Sequence, residues 1–150
     1  MIAIQQTDFD TGAEYQRLVK AAPNAGGIVL FIGRVREFSE QQTVSALFIE
    51  HYPGMTERVF SEIAEEARQR WPLLAVTIIH RVGTLQAGDN IVLVGVASEH
   101  RAAAFEAAQY IMDLLKSRAT LWKKEIQPDA ENWVTAKNSD HTAAERWQKK

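Results

Sequence analysis

Between residues 44 and 127 the chain alternates between strand and helix patterns, and the order of these patterns limits the folds it can adopt. Strand patterns are short apolar or alternating runs, whereas helix patterns repeat apolar residues every three to four positions. The order is strand, helix, strand, strand, helix, strand, over residues 44–51, 55–71, 74–82, 91–98, 100–116 and 121–127. This is the split βαβ order of ferredoxin-like folds. We therefore predict an α+β fold with a ferredoxin-like βαββαβ core.

Further elements are predicted before this core. They are a short edge strand over 1–5, a helix over 9–21 and a buried strand over 26–33. Gly83 and the pair Gly88-Asp89 bracket a predicted loop. Residues 91–98 are almost continuously apolar, which is typical of a strand in the centre of a sheet.

The tail from Pro128 is predicted to be irregular, apart from a short helix near 142–147. Trp133 and Trp147 are expected to anchor it by packing. A chain of 150 residues is long enough for one hydrophobic core, so we predict a single domain over 1–150.

Composition places the chain among ordinary globular proteins, with 46% hydrophobic residues, 24% charged residues and a net charge of −2. No apolar run approaches the roughly 20 residues that span a bilayer. The N-terminal residues lack the basic region and long apolar core of a signal peptide. A cytoplasmic location is therefore the expectation.

The sequence contains no cysteine. Thiol nucleophiles, persulfide carriers, iron–sulfur ligation and cysteine zinc sites within this chain are thereby excluded. Any sulfur chemistry must use sulfur that another molecule supplies. The four histidines are scattered without metal-ligand spacing, so neither a metal site nor a bound cofactor is predicted; they are His51, His80, His100 and His141.

Basic side chains gather at the two ends of the helix predicted over 100–116. His100 and Arg101 lie at its start, where unpaired backbone N–H groups favour an anion. Lys116 lies at its end, and Lys123 follows in an extended segment. Ordinary explanations remain open, because a capping turn accounts for the first pair and the helix dipole accounts for Lys116. The alternative is a site for an anionic small molecule or a carboxylate terminus.

A second candidate anion site follows the strand over 26–33. Gly33 permits close backbone approach, and Arg36 can offer two parallel hydrogen bonds to phosphate or carboxylate. A solvated strand end explains this segment equally well. His80 and Arg81, at the end of another strand, are assigned to packing and solubility.

Five segments in order carry a resemblance to a known family. They are Glu50-His-Tyr-Pro-Gly-Met-Thr-Glu57, His80-Arg-Val-Gly83, Gly88-Asp89, Gly95-Val-Ala-Ser-Glu-His-Arg101 and Lys116-Ser-Arg-Ala-Thr-Leu-Trp-Lys-Lys-Glu125. Together they resemble the catalytic (large) subunit of molybdopterin synthase, from about Gly26 to Trp147. One departure is Thr120, which stands where the family usually has proline.

The resemblance implies an α/β hammerhead type of fold, in which extra N-terminal strands and a helix accompany the core and the sheet is mostly antiparallel. It implies a sulfurtransferase that converts cyclic pyranopterin monophosphate into molybdopterin, in molybdenum cofactor biosynthesis. The sulfur donor is the C-terminal Gly-Gly thiocarboxylate of a small ubiquitin-like subunit. Two large subunits form a homodimer at the centre of a heterotetramer.

The resemblance also implies roles for individual residues. Lys116 lies beside the thiocarboxylate as the catalytic lysine, and Lys123 holds the pterin or its intermediate and shares in catalysis. Arg36, His100 and Arg101 bind the cyclic phosphate.

Two other classes of function are compatible with a fold of this kind. An RNA-binding sheet needs stacked aromatic residues beside basic ones, but the strand over 91–98 has no aromatic residue and the net charge is negative. A non-catalytic ligand-sensing or scaffold domain on the same fold would bind a small anion without turnover.

Overall fold

The structure is a computed structural model that describes residues 1–39, 42–43, 45–118, 120–127, 131–134 and 138–148. Its strands are β1 (Ile2–Gln5), β2 (Gly27–Arg34), β3 (Phe38–Ser39), β4 (Gln42–Thr43), β5 (Ala46–His51), β6 (Leu73–Arg81), β7 (Gly83–Gln86), β8 (Asn90–Ser98), β9 (Leu121–Ile126) and β10 (Glu131–Val134). Its helices are α1 (Thr11–Ala21), α2 (Met55–Arg70), α3 (Arg101–Ser117) and α4 (Asn138–Glu145). The α+β class is confirmed.

The first sheet has the strand order β1-β6-β8-β2. β8 pairs antiparallel with β6 and β2, which confirms that it is central, and β1 pairs parallel with β6 at the edge. Val92, Val94 and Val96 of β8 face the core formed with α2 and α3, and Leu93 faces the other side with Phe9. Helices therefore cover both faces, which explains the continuous apolar pattern of β8.

The second sheet has the order β10-β9-β5-β7, with every pair antiparallel. Four strands of the predicted core are thus divided between two sheets, because the apolar strand β2 takes the place beside β8 and β5 pairs with β9 and β7. One face of this sheet buries Leu47, Ile49 and Leu85, with Leu121 packed against them. Leu121 also packs against the main core, so it lies at the junction of the two sheets.

Both long helices begin and end where the sequence indicates. Gly54, with a φ of 83°, precedes α2, and its N–H donates to the Glu57 carboxylate at 2.5 Å. The chain leaves α2 at Trp71, immediately before Pro72. No helix in the described part of the chain is both long and apolar enough to cross a membrane.

The structure corrects the interpretation of two segments and of one residue. The predicted loop after Gly83 contains strand β7, and the tail contains β10 as well as helix α4. Trp147 is an anchor, 5% exposed, with its indole Nε1 donating to Asp113 Oδ2 at 2.7 Å. Trp133 is 55% exposed, so the prediction that it anchors the tail was wrong. It lies opposite Lys124 in the β9–β10 ladder, on the uncovered face of the second sheet.

Two positions named in the sequence interpretation lie outside the described residues. They are residue 44, the predicted start of a strand, and residue 128, the predicted start of the tail.

Candidate functional site

Lys116 and Lys123 are brought together by the turn between α3 and β9. Lys116 is exposed in the last turn of α3, and the helix ends at Arg118, whose N–H donates to the Leu114 carbonyl at 2.9 Å. Lys123 lies directly opposite Ile49 in the ladder between β9 and β5. Paired residues share a face of a sheet, so Lys123 points to the buried side with Ile49. Trp122 points to the outer side and is exposed.

The positive charge of Lys116 acts on the ammonium group of Lys123. Burial, and next the positive charge of Lys116, lower the pKa of Lys123 to about 8. Asp140, at the start of α4, acts in the opposite direction. Neither lysine forms a hydrogen bond or salt bridge with another residue in the described ranges. Their N–H donors are therefore available to an anionic ligand.

His80 also belongs to this site, although the sequence interpretation assigned it to packing and solubility. It is buried at the end of β6, with its ring centroid 6.1 Å from that of Phe60. Burial, and next the positive charge of Lys123, lower the pKa of His80 to about 3, and Lys116 and His51 contribute. The imidazole is therefore neutral at neutral pH. Its alternation with Ile78 indicated burial, but nothing in the local sequence indicated the nearby lysines.

His51 completes what we call the basic cluster: His51, His80, Lys116 and Lys123. It is the last residue of β5 and lies opposite Leu121 of β9. Its Nε2 is 3.8 Å from Glu57 Oε1, at the start of α2. The sequence placed His51 only within a family motif and assigned it no role.

Thr56 ties the turn before β9 to the start of α2. Its side chain is fully buried, and its hydroxyl oxygen lies 3.1 Å from the Tyr52 carbonyl oxygen and 3.2 Å from that of Thr120. The same oxygen accepts the Tyr52 N–H at 3.2 Å. Thr56 thus joins the segment that precedes α2 to the segment that positions Lys123.

The other predicted site residues lie elsewhere in the chain. His100 is the N-cap of α3 and Arg101 its first residue, and both are exposed. With a rise of about 1.5 Å per residue, the 15 steps from Arg101 to Lys116 span roughly 22 Å. One chain therefore does not bring His100 and Arg101 to the two lysines.

Arg36 is exposed beyond the end of β2, next to Val35. Val35 belongs to the same buried cluster as Ile49, the ladder partner of Lys123. Its N–H donates to the Asp89 carbonyl at 2.8 Å, which fixes the chain just before Arg36. Arg36 therefore lies near the basic cluster, whereas His100 and Arg101 lie at the opposite end of α3 from Lys116.

Strand β2 runs along one edge of the first sheet, with Arg36 near one end and His100 and Arg101 near the other. A Cβ on Gly26, just before β2, would collide with the Glu99 carbonyl oxygen, so the start of this edge lies against His100 and Arg101. Arg36 follows the other end of the strand. No second described strand pairs with β2 on its far side, and Phe31 in its centre is 43% exposed.

A cavity of about 380 Å³ lies between α2, α3 and α4 and is distinct from the basic cluster. Its lining includes Glu66, Arg70, Tyr110 and Arg118. Arg118 pairs with Glu66 at 2.8 Å, and the Tyr110 hydroxyl donates to Glu66 at 3.1 Å. Glu66, Tyr110 and Arg118 are therefore paired with one another in the wall of this cavity.

Comparison with known proteins gives consistent results. The family described as "MoaE protein" matches residues 4–118. The "Molybdopterin synthase catalytic subunit" of Escherichia coli (strain K12) is 51% identical over 146 residues, covering 97% of each chain. The solved structure "Molybdopterin biosynthesis MoaE protein from Burkholderia ambifaria MC40-6" is similar with a TM-score of 0.85 at 44% identity, covering 99% of this chain and 97% of that chain.

A more distant structure shares the fold. One chain of the "Protein-protein complex of subunit 1 and 2 of Molybdopterin-converting factor from Helicobacter pylori 26695" gives a TM-score of 0.74 at 20% identity. The match covers 89% of this chain and 90% of that chain. At this identity the likeness supports the fold alone.

Proposed function

Because this chain belongs to the MoaE family, we propose that its basic cluster is the place where sulfur is transferred to a pterin. The protein is a molybdopterin synthase catalytic subunit, a sulfurtransferase that converts cyclic pyranopterin monophosphate into molybdopterin. Its partner is a small ubiquitin-like subunit whose C-terminal thiocarboxylate supplies the sulfur. The absence of cysteine fits a donor that is held on another chain.

The observation that carries this assignment is the convergence of Lys116 and Lys123. Lys116 is exposed at the end of α3, where an incoming thiocarboxylate can reach its ammonium group. Pairing with that ammonium neutralises the thiocarboxylate and orients it for transfer. Lys123 lies deeper, opposite Ile49, and its N–H donors, which have no partner among the described residues, suit the pterin or its intermediate. Once the sulfur is bonded to the pterin, water hydrolyses the acyl carbon–sulfur bond, which leaves the sulfur on the pterin and releases the small subunit with a free carboxylate.

The phosphate end of the substrate requires a second copy of the chain. Antiparallel pairing of two β2 edges places the start of one strand beside the end of the other. His100 and Arg101 of one copy then lie near Arg36 of the other copy, and so towards the basic cluster of that other copy. The homodimer thus assembles the three predicted phosphate ligands, which a single chain keeps apart.

Reconstitution from three components tests the reaction. This protein is mixed with the thiocarboxylated small subunit and cyclic pyranopterin monophosphate, and the dithiolene product is followed through its fluorescent oxidised derivative. Product that depends on this chain supports the function. A stable complex with the small subunit that forms no product contradicts it and indicates a binding protein.

Complementation between two inactive variants tests the shared site. Lys116→Ala and His100→Ala proteins are each assayed alone and then after subunit exchange. If His100 acts across the dimer, a mixed dimer contains one site with both residues intact, and activity returns. If His100 acts within its own chain, every site in the mixed dimer stays defective and no activity returns.

The cytoplasmic location expected from the sequence also belongs to the proposal. Fractionation of cells with an antibody against this chain tests it, because recovery with membranes would contradict that location.

A further inference from the structure

His80 is a buried polar residue to which the proposed reaction assigns no role. Its Nδ1 lies 2.7 Å from the Arg81 carbonyl oxygen. A carbonyl oxygen only accepts, so Nδ1 must carry the hydrogen of the neutral ring. The other ring nitrogen, Nε2, is then left with a free lone pair. No residue in the described ranges donates a hydrogen bond to it.

The packing around His80 places it at the junction of the two sheets. Ile78 and His80 are alternate residues of β6, so both face α2, where the His80 ring lies beside Phe60. Two residues beyond His80, Val82 belongs to the buried cluster that contains Ile49 and against which Leu121 packs. These two residues adjoin Lys123, which lies opposite Ile49 in the ladder and two positions after Leu121 on the same face of β9.

We propose that His80 is a positioning residue for Lys123, and that its unprotonated Nε2 accepts a hydrogen bond from the Lys123 ammonium during turnover. This inference rests on the proposed function of the basic cluster. One of the three Lys123 N–H donors is directed towards His80, and the other two remain for the anionic substrate. The flexible four-carbon stem of lysine is thereby held in one orientation.

A neutral acceptor suits this place better than a charged one. A carboxylate beside Lys123 would neutralise its charge and repel an anionic pterin, whereas a protonated histidine would repel the ammonium group. The surrounding groups favour the neutral ring, since Lys116 of α3, Lys123 of β9 and His51 of β5 all act against its protonation. Asp140 of α4 acts on Lys123 and is absent from the influences on His80.

Two substitutions separate positioning from packing. In His80→Gln the side-chain amide extends to the place of Nε2, and its oxygen can accept from Lys123. In His80→Asn the shorter amide reaches only the place of Nδ1, so it can keep the Arg81 contact but offers no acceptor to Lys123. If His80 had only a structural role, it would serve to fill buried volume and to contact Arg81. Both variants alter that volume, so a structural role predicts that both are impaired.

The reconstituted enzyme should distinguish these variants by kcat. We expect His80→Asn to lower kcat about tenfold to a hundredfold, with KM for the small subunit unchanged, because one hydrogen bond to a charged group is lost. The apparent pKa of Lys123 should fall in His80→Asn, since the ammonium form loses an acceptor. His80→Gln should stay within about threefold of the parent protein. Equal impairment of both variants, or an unchanged His80→Asn enzyme, would overturn the proposal.

Nitrogen NMR of the imidazole ring tests the tautomer without any activity measurement. In the parent protein at neutral pH with cyclic pyranopterin monophosphate bound, we expect a protonated Nδ1 and an unprotonated Nε2, and the Nε2 signal should shift in Lys123→Met. A protonated Nε2, or a signal unaffected by Lys123→Met, would contradict the proposal. This result is independent of turnover, whereas a parent protein that makes no product would contradict the proposed function itself.

Discussion

The hydroxyl oxygen of Thr56 lies 3.2 Å from the carbonyl oxygen of Thr120, joining the first turn of α2 to the residue that precedes β9. Through this contact the motif around residues 50–57 supports the one around 116–125. The first motif contributes His51 to the basic cluster, and the second contributes both lysines. The buried hydroxyl thus adds a side-chain contact to the β5–β9 ladder, which already joins these two distant segments.

Replacing Thr56 by valine should destabilise the fold by about 1–3 kcal/mol, because the same volume is kept but buried partners lose their hydrogen bond. The loss should also reduce sulfur transfer, since the turn before β9 is released. Denaturant unfolding and the reconstituted assay measure the two effects. Thr84→Val is the control, as Thr84 is exposed in β7 and its replacement should change stability by less than about 0.5 kcal/mol.

Replacing Thr120 by valine should have the opposite effect. The Thr120 hydroxyl oxygen is buried and has no hydrogen-bond partner among the described residues. Removing a buried, unpaired hydroxyl relieves its desolvation cost, so we expect a gain of about 1 kcal/mol in the free energy of unfolding. Thr120→Ser retains the hydroxyl and should show no gain. If Thr120→Val destabilised the protein, the Thr120 hydroxyl would have to be paired.

His80 should make the protein sensitive to acid. Its pKa is about 3 in the folded state and near 6.5 in the unfolded state, so the unfolded chain binds the extra proton first. Its contribution to stability is therefore present above pH 6.5 and is lost as the pH falls towards 3, at up to about 1.4 kcal/mol per pH unit. His80→Gln should flatten this dependence in unfolding experiments between these values. His141→Gln, on the exposed surface of α4, should leave the slope unchanged.

Substrate binding should weaken as the pH rises through about 8, the pKa of Lys123, because the ammonium form is then lost. Since the charge of Lys116 helps to lower this pKa, Lys116→Ala should move the transition to higher pH. Titration of pterin binding to both proteins, without the small subunit, measures the shift. A transition at the same pH in both proteins would mean that the two ammonium groups do not interact.

Local patterns in the sequence predicted most elements of the fold, but not how they are distributed. The apolar run of β8 indicated a central strand, and its burial confirms that reading. The division of the strands into two sheets was not predictable, because it depends on β2 rather than β5 pairing with β8. The exposure of Trp133 was not predictable for the same reason, because it depends on how β10 pairs with β9.

The grouping of residues in the basic cluster could be predicted only in part from the sequence, for a related reason. Lys116 and Lys123 were identified from charge and from family motifs. His80 was missed because its neighbours come from α2, β5 and β9, and long-range contacts of this kind leave no local sequence pattern. The separation of His100 and Arg101 from the lysines follows from the length of α3, which the sequence did indicate.

The most direct test of the central claim is the rate of dithiolene formation by Lys116→Ala beside Lys124→Ala. Lys124 is the matched control, since it lies one residue after Lys123 but points to the outer face and pairs with Glu131 at 3.1 Å. Lys116→Ala should abolish product while it still binds the small subunit, and Lys124→Ala should remain close to the parent rate. Normal turnover by Lys116→Ala would contradict the account.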